Sequence, residues 1–222
     1  MGLFVTFEGP EGSGKTTQIR LLSEWLRMCG YDVLTTREPG GTRIGDSIRS
    51  LLLDPGNGEM SPTTEILLFS AARAQHVSEV IQPHLARGGV VLCDRFADST
   101  LAYQGYGRGL DPDQLRSITV FATGGLTPDL TVCLDLPIVE GLRRKQSADL
   151  AEWNRMESEQ LAFHERVREG YLALAAADPT RWVVLDATQP VAGIQEQIRA
   201  HVAVRLDKER ECDEADHGHR EQ

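Results

Sequence analysis

The residues most able to do chemistry stand near the start of the chain. Gly9-Pro10-Glu11-Gly12-Ser13-Gly14-Lys15-Thr16 fits the pattern of a phosphate-binding P-loop, Gly-x-x-x-x-Gly-Lys-Thr. Each type has a physical task. Gly9, Gly12 and Gly14 let the backbone turn where a Cβ would obstruct it, so that N–H groups face inward. Those N–H groups and the N-terminus of the next helix form a cradle for phosphate oxygens. Lys15 adds a point charge between β- and γ-phosphates, and the Thr16 hydroxyl suits a Mg²⁺ ion. A Gly-rich turn alone would also match. The flanks favour the cradle: Leu3 to Phe7 reads as a buried strand, and Ile19, Leu22, Leu26 and Cys29 share one face of the following helix.

Further polar clusters follow other apolar runs. Arg37-Glu38-Pro39-Gly40-Gly41-Thr42 makes a rigid bend, and its Glu38–Pro39 bond is expected to be cis; a turn and nothing more is the alternative. Asp94 and Arg95 close the run from Gly89. In P-loop proteins such an Asp supports Mg²⁺, although a strand-end ion pair would look the same. Ser99 to Gly105 reads as a short helix with hydroxyls, an aromatic and an amide, a set suited to a base edge and a sugar. Phe69 and Arg73 lie on one face of another helix. Phe69 could stack on a planar base and Arg73 could donate to its carbonyl; a core Phe and a snorkelling Arg are the alternative.

These clusters need a scaffold that brings strand ends together. Five apolar runs, 3–8, 32–36, 89–94, 130–136 and 181–186, alternate with helical stretches. That alternation predicts an α/β fold, a five-stranded parallel sheet flanked by helices and joined by right-handed crossovers. Ligands in such sheets bind at the carboxyl ends of the strands, where the polar clusters lie. Residues 54–60 read as a loop, Ser61 as a helix cap with Pro62 behind it, and Pro83 as a kink or stop.

The chain of 222 residues suits one domain, placed at 1–206, and at 41% hydrophobic it can bury a core. No run reaches the ~20 apolar residues of a membrane span, and the apolar start leads into the P-loop as a core strand and not a signal peptide. Of Cys29, Cys93, Cys133 and Cys212, no pair has metal-ligand spacing; buried reduced thiols and a cytoplasmic location are expected. The net charge of −10 argues against general nucleic-acid binding, while leaving room for a polyanion held by local arginines. Residues 207–222 hold seven acidic and three basic residues and read as a disordered acidic tail.

Taken together, the P-loop with Glu11, Arg37 to Thr42, Phe69-Ser-Ala-Ala-Arg73, Asp94-Arg95-Phe96, Ser99 to Gly105, Pro128-Asp129-Leu-Thr and Asn154-Arg155-Met-Glu resemble bacterial thymidylate kinases. The resemblance runs in order from about residue 1 to 205 and implies the nucleoside-monophosphate-kinase sheet, transfer of a phosphoryl group from ATP to dTMP with Mg²⁺, and a homodimer built from helices. It implies that Gly9 to Thr17, together with Arg144 near the adenine, hold ATP, and that Thr16 and Asp94 serve the metal. It implies that Phe69 stacks on thymine and that Arg73, Thr100 and Gln104 bond its edge. Tyr103 would crowd a ribose 2′-OH, Glu11 would approach the 3′-OH, and Arg49 and Arg95 would hold the acceptor phosphate. Lys15, Glu38, Arg95 and Arg155 form the implied catalytic set. The resemblance also implies a lid at about 145–156. Relatives of the bacterial type carry an extra lid arginine; here Gln146 to Trp153 contains none, so the task falls to Arg155 or Arg144, with Arg155 the better placed in sequence.

Charge suggests the mechanism. A phosphate monoester with a second pKa of about 6 is mostly dianionic at neutral pH, so placement and neutralisation replace a strong base. Two rivals remain at this point. A P-loop switch would carry the guanine-reading Asn-Lys-x-Asp motif, which the chain lacks; the other is a kinase for another monophosphate or a deoxynucleoside, against which Phe69, Arg73, Thr100 and Gln104 argue for a pyrimidine with a carbonyl at position 4, without alone excluding dUMP.

Overall fold

The computed structural model describes residues 2–148 and 154–218. Five strands form one parallel sheet in the order β2-β3-β1-β4-β5: β1 Phe4–Glu8, β2 Val33–Arg37, β3 Val90–Asp94, β4 Leu130–Asp135 and β5 Trp182–Asp186. Each lies within one or two residues of the run that announced it. β1, β3 and β4 are buried along nearly their whole length because helices cover both faces. One core layer joins Val5, Phe7, Leu92 and Leu134 to Leu22 and Leu26 of α1 (Lys15–Met28) and to Ile198 and Val202 of α9 (Val191–Gly218).

The remaining helices are α2 Arg43–Leu53, α3 Pro62–His76, α4 Gln82–Ala86, α5 Ala97–Thr100, α6 Pro112–Thr123, α7 Ile138–Ala148 and α8 Leu161–Ala177. Ser61 caps α3 as expected, its hydroxyl accepting from Thr64 N at 3.2 Å. Pro83 does not stop that helix. A widened π-helical stretch, Val77–Ile81, joins α3 to α4, and Pro83 falls in the first turn of α4, where its missing N–H leaves little unmade. A second π-helical stretch, Leu101–Gly107, extends α5 and carries Tyr103 and Gln104.

One expectation is modified. α9 runs as helix to Gly218, so most of the acidic segment read as disordered has helical backbone; 219–222 lie outside the described residues. Of the lid at 145–156, positions 149–153 also lie outside them. Cys93 and Cys133 are buried thiols and Cys29 is exposed. Burial pushes Cys93 well above the usual thiol range and Cys133 up to about 12, so neither is a nucleophile. No helix among the described residues is long and apolar enough to cross a membrane.

Candidate active site

A cleft of about 860 Å³ opens at the carboxyl ends of β1, β2 and β3 and is walled by the P-loop, α3, the Leu101–Gly107 turn and the end of α7. The P-loop takes the backbone its glycines permit, with φ of 126° at Gly9, 69° at Gly12 and 91° at Gly14. A Cβ on Gly12 would collide with the carbonyl of Gly141 in α7, and one on Gly141 with the carbonyl of Glu11. Loop and lid-bearing helix thus meet backbone to backbone. Lys15 Nζ is folded over the loop and donates to Pro10 O (3.0 Å) and Gly9 O (3.3 Å). Pro10 and Gly9 contribute carbonyls behind the cleft, whereas Glu11 to Thr17 line it.

Thr16 Oγ1 donates to Asp94 Oδ2 at 3.2 Å. A hydroxyl and a carboxylate so placed fit a hard divalent cation that takes its other ligands from phosphate and water. Among the described residues no cluster of three or more His, Cys, Asp or Glu forms a metal cage.

Arg95 links the P-loop to the Leu101–Gly107 stretch. It is the one described non-glycine residue at positive φ, 67°, held there by its N–H on Phe7 O. Its Nη2 donates to Glu11 Oε1 (2.6 Å), its Nη1 to the Tyr171 hydroxyl (2.8 Å), and its guanidinium lies 4.9 Å over the Tyr103 ring. Burial would raise the Glu11 pKa, but Arg95 and Lys15 outweigh it and hold the carboxyl at about 2. Tyr103 donates to the same oxygen at 3.1 Å, and its phenol is pushed far up by burial. Beneath lies Glu8, the last residue of β1 and fully buried. It accepts from Phe96 N (2.8 Å), Ser99 Oγ (2.6 Å) and Tyr171 Oη (2.8 Å), and burial raises its pKa to about 7. Glu8 and Tyr171 were missed in the sequence. An acid inside an otherwise apolar strand was the signal for Glu8; Tyr171 sends none.

Phe69, Arg73, Thr100 and Gln104 line the same cleft. Arg73 is 2% exposed and therefore core, yet it borders the cleft. Its Nε donates to Glu38 Oε2 (2.7 Å), Nη1 to Thr100 Oγ1 (2.8 Å) and Nη2 to Phe96 O (3.1 Å). The other oxygen of Glu38 lies 3.2 Å from His76 Nδ1. Glu38 also lines the cleft, and its carboxylate, 4% exposed, is committed to Arg73 and His76. The Glu38–Pro39 bond is cis, as expected. Arg49 lines the cleft and donates to Pro39 O at 2.8 Å.

Arg155 departs from expectation. It is buried and does not line the cleft. Its Nε donates to Leu52 O (2.9 Å), its backbone N to Leu53 O (3.1 Å), and its Nη2 sits 2.6 Å from Glu65 Oε2 as an ion pair without hydrogen-bond alignment. The lid-side cations on the cleft wall are Arg144, which donates to Glu140 Oε1 (2.8 Å) and Ala187 O (3.2 Å), and Lys145, 3.5 Å from Glu157 Oε1.

Comparison with known proteins agrees with this arrangement. A family model described as thymidylate kinase matches residues 7–198. Thymidylate kinase of Roseiflexus sp. (strain RS-1) is 58% identical over 212 residues, covering 91% of this chain and 94% of that protein. The protein of the same name from Herpetosiphon aurantiacus is 53% identical over 221 residues, covering 89% and 94%. Among solved structures, thymidylate kinase from Ehrlichia chaffeensis superposes with a TM-score of 0.73 at 33% identity, covering 90% of this chain and 98% of that one.

Proposed function

The chain belongs to the thymidylate kinase family and is a dTMP kinase that transfers the γ-phosphoryl group of ATP to dTMP, giving dTDP and ADP, and on that premise we propose how its residues divide the work. The observation that carries the division is that one cleft joins the P-loop cradle to Phe69, Arg73, Thr100 and Gln104, with Arg95 also on its wall. Gly9 to Thr17 wrap the donor phosphates, Lys15 exchanging the Gly9 and Pro10 carbonyls for phosphate oxygens. Thr16 and, through water, Asp94 would hold Mg²⁺, which when bound supplies neutralisation of the β- and γ-phosphates. Arg144, held by Glu140 and the Ala187 carbonyl, borders the adenine.

In the acceptor half, Phe69 stacks on thymine while Arg73, Thr100 and Gln104 read its edge. Arg49 and Arg95 hold the dTMP phosphate in line. Glu11 stays ionised and orients both Arg95 and the sugar 3′-OH, and Tyr103 leaves no room for a 2′-OH. The acceptor dianion needs no base, so the chain contributes position and charge. Transition-state neutralisation from the lid side falls to Lys145, which faces the cleft, and Arg155 anchors the lid segment to α2 and α3.

We also propose a homodimer through α2, α3 and α6, which pack side by side and expose Leu51, Leu67, Val120 and Phe121, the last at 90%. A cytoplasmic location completes the reading, supported by the buried thiols of Cys93 and Cys133. A coupled ADP-release assay over a panel of nucleoside monophosphates tests it: dTMP should give the highest kcat/KM, and ADP release indifferent to dTMP would refute it.

A further inference from the structure

A second charged cluster centres on Glu65, to which no role has been assigned. Glu65, in the first turn of α3, is 1% exposed. It accepts from Arg108 at both oxygens (3.2 and 3.0 Å), pairs with Arg155 at 2.6 Å, and accepts from the side-chain nitrogen of Gln104 at 2.9 Å. Burial would raise its pKa, but the hydrogen bonds from Arg108 and Gln104 outweigh burial and hold it below its usual value. An ionised carboxylate only accepts. The amide nitrogen of Gln104 must therefore face Glu65, and its oxygen is left to the cleft that Gln104 lines; among the described residues nothing donates to that oxygen.

The consequence is a fixed polarity at the base edge. Resting on the dTMP kinase reading above, we propose that Glu65 is a specificity-determining positioning residue: it locks the Gln104 amide so that the pocket presents an acceptor to the N3–H of thymine. Cytosine carries an acceptor at N3 and an amino group at position 4, and so meets Gln104 and Arg73 with like against like. Without Glu65 the Gln104 amide could turn over at little cost and accommodate either base. Arg108 and Arg155 keep the lock charged, which gives the buried arginine of the lid segment a task in base recognition.

The test measures kcat/KM for dTMP and dCMP at saturating ATP, with calorimetric binding of each nucleotide, in the parent chain and in Glu65→Gln. A neutral amide at 65 can donate to Gln104 and let it present its own nitrogen. The dTMP-to-dCMP ratio should narrow about tenfold or more, the size of one lost hydrogen bond, with the dTMP loss in KM and not kcat. In a Gln104→Leu background the same substitution should leave the ratio unchanged, since the lock acts through Gln104. Glu65→Asp, which keeps the charge but withdraws the oxygens from Gln104, should narrow the ratio likewise and covers a Glu65→Gln chain that fails to fold. An unchanged ratio in folded, active Glu65→Gln or Glu65→Asp protein overturns the inference alone. Absence of dTMP turnover in the parent overturns the functional reading and this inference with it.

Discussion

Glu38→Gln separates support from catalysis. Arg73 and Glu38 are 2% and 4% exposed at their side chains and 2.7 Å apart, and Arg73 in turn holds Thr100 and the Phe96 carbonyl. Glutamine keeps the shape and one acceptor oxygen but leaves a guanidinium charge buried without its counter-charge. Breaking one side of a buried pair costs about 3–5 kcal/mol, and the retained acceptor puts this case near 3. For a chain of this size that predicts a fall in Tm of about 6–12 °C. Urea unfolding gives the free energy directly. Because Arg73 then loses its aim at the base, KM for dTMP should rise more than kcat falls. The double variant Glu38→Gln/Arg73→Met supplies the control. Removing both partners relieves the buried charge, so it should be more stable than Glu38→Gln while binding dTMP worse still. Glu38→Gln within about 1 kcal/mol of the parent, or a double variant no more stable than the single, would refute the reasoning.

Two further outcomes follow from the same structure. Glu8 has a folded-state pKa of about 7 against 4.5 in the unfolded chain. The folded state thus favours the neutral acid, whose contribution is full below the unfolded value and is lost as pH rises through about 7; a shift of that size corresponds to about 3 kcal/mol. Glu8→Gln does not titrate, so the Tm of the parent relative to the variant should fall between about pH 5 and pH 8, and a difference flat with pH would sink the assignment. Arg155→Ala, removed from its contacts with Leu52 and Glu65, should lower Tm and raise KM for dTMP while single-turnover phosphoryl transfer at saturation changes less than about threefold; Lys145→Ala should do the reverse, and a large loss of transfer rate in Arg155→Ala would restore it to the reacting phosphates.

What could be read from the sequence was what depends on local spacing. The P-loop is contiguous, its strand and helix flank it, and Phe69 and Arg73 share a helix face by periodicity alone. The strands were legible because a sheet covered on both faces demands unbroken apolar runs. What could not be read joins distant segments. Arg155 reaches Leu52 across 103 positions, and Tyr171 reaches Glu8 across 163. Glu65 looked like an acid suited to a helix N-terminus, and only the approach of Arg108, Gln104 and Arg155 makes it a hub. The π-helical stretches were equally silent, since tertiary packing and not propensity widens a helix.

The arrangement of charge explains how an acidic chain can gather two polyanions. The protein carries a net −10, yet Lys15, Arg49, Arg73, Arg95, Arg144 and Lys145 line one cleft. Arg73 is backed by Glu38, Arg95 by Glu11, and Arg144 by Glu140. A guanidinium has five N–H donors, and Arg95 commits one each to Glu11 and Tyr171. These bonds fix the direction of the group without consuming it. Flexible surface cations would have to be ordered when the phosphates arrive, at a cost in side-chain entropy that reduces the electrostatic gain. Here that ordering is completed during folding, with the stability of the buried pairs as its counterweight. Phosphoryl transfer between two anions gains most from donors held in place, and the paired carboxylates provide that hold.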